Sequence, residues 1–255
     1  MSTTSHHIHR QPLNRADVLG CPIDRVGIDE AVERCRELIE ETARTTSQVS
    51  VNAAKLVAIR EDAQLRDLVL GCDLVTADGQ SVVWASRLLG DALPERVAGI
   101  DLMQRLLQLA ERRGHRVFFL GATPAVLARA LETITSRHPR LRVAGSRDGY
   151  FRADEEQQVR AEIQAAAPDI LFVAMTSPRK EQWVAAAAEL DVGFAMGVGG
   201  SLDVVAGLVR RAPRVVQRLG LEWLFRLAQE PRRLLRRYVT TNTRFLFLLI
   251  REVKS

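Results

Sequence analysis

From Ala16 onward, short β-branched runs alternate with longer helical patterns, and this alternation constrains the fold more than any other feature of the chain. It marks βα units, in which crossover helices join parallel strands and cover both faces of the sheet. The clearest strands are Val49 to Val51, Leu74 to Thr76, Arg116 to Leu120, Leu141 to Ala144, Ile170 to Met175 and Val192 to Met196. The clearest helices are Asp29 to Thr42, Asp101 to Arg113, Pro124 to Ser136, Asp154 to Ala166 and Pro178 to Glu189. Pro124 and Pro178 stand near helix starts, where a missing N–H costs nothing. Asp29, Asp101 and Asp154 put negative charge in first turns or at N-caps. After Gly207 the strands stop, and Pro213 to Val253 reads as helix broken near Gly220 and Pro231. The expected fold is α/β: a Rossmann-like, largely parallel sheet sandwiched by helices, with a C-terminal basic helical appendage. Residues 1–15 read as a disordered tail, 16–206 as the α/β core and 207–255 as the appendage.

Charge divides the chain at the same place. Residues 207–255 hold twelve Lys and Arg against three Glu, a net +9, which leaves residues 1–206 at −4. Arg226, Arg232, Arg233, Arg236 and Arg237 lie close together in that segment. A local charge of this size points to phosphate, a nucleic-acid backbone or an anionic membrane surface. The 255 residues, 47% hydrophobic, suffice for one large core plus a small appendage and exclude a disordered protein. Cys21, Cys35 and Cys72 form no C-x-x-C pair, and their odd number fits a reducing cytoplasm. Residues 1–15 lack the apolar stretch of a signal peptide, and the apolar run Phe245 to Ile250 falls far short of the roughly 18 residues of a spanning helix. His6, His7 and His9 form a short polar cluster that reads as disordered tail, so no metal site is expected.

In parallel α/β sheets, ligands bind beyond the carboxyl ends of the strands. Those ends carry Asn52, then Asp78 and Gly79, then Gly121, Ala122 and Thr123, then Thr176 and Ser177, then Gly197 to Ser201. Asp78-Gly79 is also an ordinary turn dipeptide, and Leu120 to Thr123 could be a phosphate cradle or a plain βα turn. Gly197-Val198-Gly199-Gly200-Ser201 permits close approach to a ligand or tight packing. It falls short of G-x-G-x-x-G, because Leu202 holds the third position. No two aspartates are spaced i, i+2, so the D-x-D pair that holds a divalent ion in many nucleotide-sugar transferases is missing. A diphosphate would then need arginine, whose guanidinium forks onto phosphate oxygens. Arg226, Arg233, Arg236 and Arg237 are available for that, or form a solvated helix face.

Several segments together resemble the WecG/TagA/CpsF glycosyltransferases (glycosyltransferase family 26), from about Val18 to Tyr238. The matching pieces are Ser50-Val51-Asn52, Thr76-Ala77-Asp78-Gly79, Glu95 to Asp101, Val117 to Gly121, Asp148-Gly149-Tyr150-Phe151, Gly197 to Asp203, Arg211-Ala212-Pro213, Glu222 to Arg226, and Glu230-Pro231 with Arg233 and Arg237-Tyr238. The resemblance implies inverting transfer of a sugar, without a bound metal or other cofactor. The donor would be UDP-N-acetylmannosamine or a related UDP-sugar, and the acceptor a sugar linked to undecaprenyl diphosphate. It implies an enzyme peripheral on the inner face of the bacterial cytoplasmic membrane, building surface polysaccharide. Asp78 resembles the family's catalytic base, with Ser50 and Asn52 orienting substrate beside it. Arg96, Asp101, Gly121, Lys180, Gly199 and Asp203 would bind substrate, and Arg226, Arg233, Arg236 and Arg237 would fold over the departing diphosphate. Leu234, Leu235, Phe245, Phe247, Leu248 and Leu249 beside basic residues suit an interfacial helix; docking on the core or on another subunit of a homo-oligomer is the alternative.

One departure bears on the donor. Where the family commonly reads Pro-Lys-Gln-Glu, this chain has Pro178-Arg179-Lys180-Glu181, so Lys180 replaces a pocket glutamine. Two other classes remain as alternatives. A nucleic-acid-binding protein is motivated by the basic tail, which carries few aromatics for stacking. A nicotinamide-dependent oxidoreductase is motivated by the α/β pattern, against which the incomplete glycine fingerprint counts.

Overall fold

The computed structural model describes residues 14–41 and 44–253. In chain order the elements are β1 (Arg15–Val18), β2 (Cys21–Asp24), α1 (Ile28–Glu40), β3 (Thr46–Val51), α2 (Ala53–Glu61), α3 (Ala63–Leu70), β4 (Leu74–Ala77), α4 (Gln80–Leu88), α5 (Gly99–Arg113), β5 (Arg116–Gly121) and α6 (Pro124–Arg137). There follow β6 (Arg142–Arg147), α7 (Glu156–Ala166), β7 (Ile170–Ala174), α8 (Arg179–Ala186), β8 (Phe194–Gly197), α9 (Ser201–Val205), α10 (Arg214–Arg218), α11 (Glu222–Gln229) and α12 (Pro231–Val253). Among the described residues, six strands form one sheet in the order β4-β3-β8-β7-β5-β6, and every neighbouring pair is parallel. β7 and β8 are apolar throughout because helices cover both faces; all five residues of β7 are buried. One face packs on α1, α5, α6 and α9 through Leu38, Leu102, Leu106, Ile134 and Leu202. The other packs on α2, α3, α7 and α8 through Leu56, Leu65, Ile163 and Trp183.

The expected α/β sandwich is present, with differences at particular elements. The hairpin β1–β2, unread in the sequence, turns at Leu19 and Gly20, both with positive φ (57° and 77°). Its Asp24 carboxylate accepts the Val75 N–H at 2.7 Å and is held by Arg15 at 2.8 Å. It thereby covers backbone of β4, an edge strand that would otherwise present unpaired donors. The expected helix from Asp154 begins with a 3-10 turn, Ala153–Glu155, and the one ending at Glu189 finishes in another, Ala187–Leu190. Most of the expected tail, residues 1–13, and Thr42 lie outside the described residues.

The appendage follows the core closely. Arg211 forks onto Asp101 of α5 with contacts of 2.6 and 2.5 Å, while the Gln229 side chain exchanges two 3.0 Å hydrogen bonds with the Arg210 backbone. At the far end α12 lies on α2. Phe245 and Leu249 enter the same hydrophobic cluster as Leu56 and Ile59, flanked by Arg244–Glu61 and Arg60–Glu252 pairs. Residues 207–253 thus reach over the carboxyl ends of the strands and are fastened at both ends.

Candidate active site

Asp78 follows the edge strand β4, and its backbone N–H is fixed by the Val51 carbonyl at 2.8 Å. The Ala77 carbonyl accepts the Val97 N–H at 2.8 Å, which lays residues 95–99 across the end of β4. A Cβ on Gly99 would stand 3.2 Å from Ser50 Oγ and 3.6 Å from Asp78 Oδ2. The bare glycine therefore leaves room for a hydroxyl and a carboxylate to converge on one point at the strand ends. Gly79 is similarly close to Asn52, whose Cβ lies 3.6 Å from where a Gly79 Cβ would be. The Asn52 side-chain oxygen accepts the Lys55 N–H at 3.0 Å and caps α2. That oxygen has a structural task beyond the substrate-orienting role expected of Asn52.

Burial pushes the Asp78 carboxyl above its ordinary value; the Arg96 guanidinium and the Gly99 N–H pull against that shift. Glu222 pushes it further up and Arg226 down, so α11 sits within electrostatic reach of the carboxylate. Arg96 also contacts Glu222 at 2.5 Å and Gln217 at 3.5 Å, which ties α10 and α11 to the mouth of the site. Arg211, whose charge also acts on Asp78, is held in its charged form first by the hydrogen bonds it donates to Asp101. Asp101, expected to bind substrate, has both oxygens engaged by Arg211 and fastens the appendage. Of the appendage arginines, Arg226 is half-buried and faces Asp78 electrostatically, whereas Arg236 is exposed on α12. The side chains of Arg233 and Arg237 lie outside the described residues.

On the other side of the strand ends, Lys180 lies along the turn after β8. A Cβ on Gly197 would come within 2.9 Å of Lys180 Cδ, and one on Gly199 would be 3.7 Å from its Nζ. Glu181 Oε1 receives Lys55 Nζ at 2.6 Å and lies 3.4 Å from Lys180 Nζ, with Lys55 and Glu181 almost wholly buried. Burial opposes ionisation of Glu181, but the two ammoniums outweigh it and hold the carboxyl below its usual range. Two cations on one anion leave the pocket with excess positive charge.

A comparison with known protein families matches residues 16–255 to the glycosyl transferase WecG/TagA/CpsF family. The chain belongs to this family. It is a glycosyltransferase of bacterial surface polysaccharide synthesis, whose partners are in general a sugar donor and a lipid-linked acceptor.

Within this WecG/TagA/CpsF chain, two expected ligand positions have packing reasons of their own. Gly121, with φ 121°, packs so tightly on β7 that a Cβ would fall 2.3 Å from the Ala174 carbonyl oxygen, and Thr123 beyond it caps α6. Asp203 accepts the Leu208 and Val209 N–H groups with its backbone carbonyl, shaping the turn into the appendage. The sequence reading passed over Arg211, Lys55, Gln48 and Thr76 as site residues. Arg211 and Thr76 stood within the matching segments, while Lys55 and Gln48 gave no signal beyond a polar side chain in an apolar stretch.

Proposed function

We propose that the chain transfers a sugar from a UDP-sugar to a sugar on an undecaprenyl-diphosphate carrier in one inverting displacement. The observation that carries this reading is the meeting of Asp78 Oδ2 and Ser50 Oγ around Gly99, beneath Arg96 and Arg226. Asp78 takes the proton of the acceptor hydroxyl as that oxygen bonds to the anomeric carbon. The bond from the anomeric carbon to the UDP oxygen breaks, and its electron pair leaves on the diphosphate. Arginine neutralises that charge: Arg226, which acts electrostatically on the base, and Arg233, Arg236 and Arg237 further along the sequence.

The basic segment suits a membrane-bound acceptor better than a nucleic acid, because Arg211 and Arg244 are already engaged by Asp101 and Glu61. Leu202, at the third position of the incomplete dinucleotide fingerprint, is fully buried, which disfavours a nicotinamide cofactor. Leu235, Val239, Leu246, Ile250 and Val253 are exposed and share one face of α12 beside Arg232, Arg236 and Arg251. Such a face supports peripheral contact with the inner side of the cytoplasmic membrane. Among the described residues, no helix is long and apolar enough to cross a membrane.

Lys180 directs the donor reading. An ammonium donates only, whereas a glutamine can also accept from an N-acetyl amide. An ammonium suits a neutral hexose or a uronic acid better than UDP-N-acetylmannosamine; the alternative is that Lys180 contacts the donor phosphate or serves its 3.4 Å pairing with Glu181 and leaves selectivity untouched. A panel of UDP-sugars assayed with a short-chain lipid-diphosphate-sugar acceptor tests both halves of the proposal. Transfer from at least one donor is expected, and Lys180→Gln should change the donor ranking by roughly 10- to 100-fold, the worth of one charge-assisted contact. No acceptor-dependent transfer from any donor would refute the function, and an unchanged ranking would remove Lys180 from selectivity.

A further inference from the structure

Below the Asp78–Ser50 mouth, the middle of the sheet contains polar side chains where apolar ones would be expected. Gln48 and Ser50 are two apart on β3 and share a face; Ser50 pairs in register with Thr76 of β4. Gln48 and Thr76 are both fully buried. Gln48 Nε2 donates to Thr76 Oγ1 at 2.8 Å and to Ser50 Oγ at 3.1 Å, and the two hydroxyl oxygens are 3.3 Å apart. Gln48 Oε1 is buried without a hydrogen-bond partner among the described residues. A buried orphan acceptor costs stability, so an arrangement that retains one calls for a reason.

Counting protons supplies the reason. With Nε2 towards the hydroxyls, both N–H groups of the amide are used; turning the amide over would bury two unpaired N–H groups in place of one carbonyl oxygen. Either hydroxyl could donate across their 3.3 Å contact, but Thr76 is fully buried and would strand its proton if Ser50 donated, so the Thr76 proton is assigned to Ser50. Ser50 then accepts twice, from Gln48 and from Thr76, and both its lone pairs are occupied. Its remaining capacity is one O–H, on the half-buried residue that faces Gly99 and the Asp78 carboxylate.

We propose that Gln48 is a positioning residue: through Thr76 and directly, it fixes the Ser50 hydroxyl as a hydrogen-bond donor to a substrate oxygen beside Asp78. The catalytic part of this inference rests on the glycosyl-transfer reading of the site, while the amide orientation does not. Ser50 touches substrate; Gln48 acts only through it. A donor fixed in advance at this position costs no reorganisation when the acceptor and the anomeric centre meet.

The test combines an activity cycle with a spectroscopic readout. Gln48→Met keeps the length and removes the amide, and Thr76→Val keeps the shape and removes the hydroxyl, which provides a second route should the first variant fold poorly. Gln48→Met and Ser50→Ala should each lower kcat/KM about tenfold, the worth of one hydrogen bond, and the double variant should lose about tenfold as well. Losses that multiply to about a hundredfold in the double variant would show a role independent of Ser50 and overturn the proposal. In the wild type, both Gln48 side-chain amide protons should be slow to exchange by NMR and should shift in Thr76→Val and Ser50→Ala. Fast exchange, or resonances indifferent to both substitutions, would overturn the orientation. Wild-type protein with protected amide protons but no transfer activity would refute the glycosyl-transfer reading and leave the orientation standing.

Discussion

Asp78→Asn is expected to lower sugar transfer by about 10²- to 10⁴-fold while UDP continues to bind, because the amide preserves shape but cannot take a proton. The position supports so large an effect. Asp78 is anchored by the Val51 carbonyl, its carboxylate meets Ser50 at Gly99, and its charge is opposed by burial and balanced by Arg96. A half-buried, desolvated carboxylate raised above its ordinary value is a stronger base than a solvated one, and asparagine forfeits that advantage entirely. Calorimetry with UDP should show affinity close to wild type, since the substitution leaves the arginines credited with diphosphate binding in place. Turnover of the asparagine variant within a few-fold of wild type would withdraw Asp78 from the role of base.

Glu181→Gln is expected to destabilise the fold by about 3–5 kcal/mol, the cost of removing one partner from a buried ion pair. The substitution keeps volume but leaves the Lys55 and Lys180 ammoniums near one another with no anion between them. Burial, then the Lys180 charge, already lowers Lys55 to about 8 against the partial support of Glu181. Between about 8 and 10.5 the folded protein therefore binds fewer protons at Lys55 than the unfolded chain does. Stability contributed by this group climbs with pH across that window in the wild type; without the Glu181 carboxylate Lys55 is lowered further, so the variant should recover part of its loss as pH rises towards about 8 and keep a constant deficit above it. Urea unfolding at neutral and alkaline pH measures both quantities; an unchanged midpoint in the variant would mean that the triad carries no structural weight.

The parallel sheet was legible because its strands are buried on both faces and read as apolar runs, as Ile170 to Ala174 do. The β1–β2 hairpin was not, because two four-residue strands carry too short a pattern, and their turn depends on a positive φ at Leu19 that no residue type announces. α2 escaped for the opposite reason. Leu56, Val57 and Ile59 are buried together with Lys55, so the helix lacks the polar face that gives amphipathic helices their period. Asp78 could be picked out because strand ends are few and ligands gather there, whereas Ser50, inside β3, stood out only through the family resemblance. Gly121 could not be resolved between phosphate cradle and packing, since the deciding neighbour, the Ala174 carbonyl, comes from another strand. The Lys55–Glu181 pair joins residues 126 apart, and no local spacing records such a contact.

The pH dependence of kcat/KM for sugar transfer tests most directly whether Asp78 is the base. The base must be ionised, so the wild-type rate should rise through an acid limb set above the ordinary aspartate range by burial. Arg96 lowers the Asp78 pKa and Glu222 raises it, so Arg96→Gln should move the limb to higher pH and Glu222→Gln to lower pH. Opposite displacements in the two variants are the expected result; a limb that stays in place in both, or moves the same way in both, would contradict the assignment of Asp78.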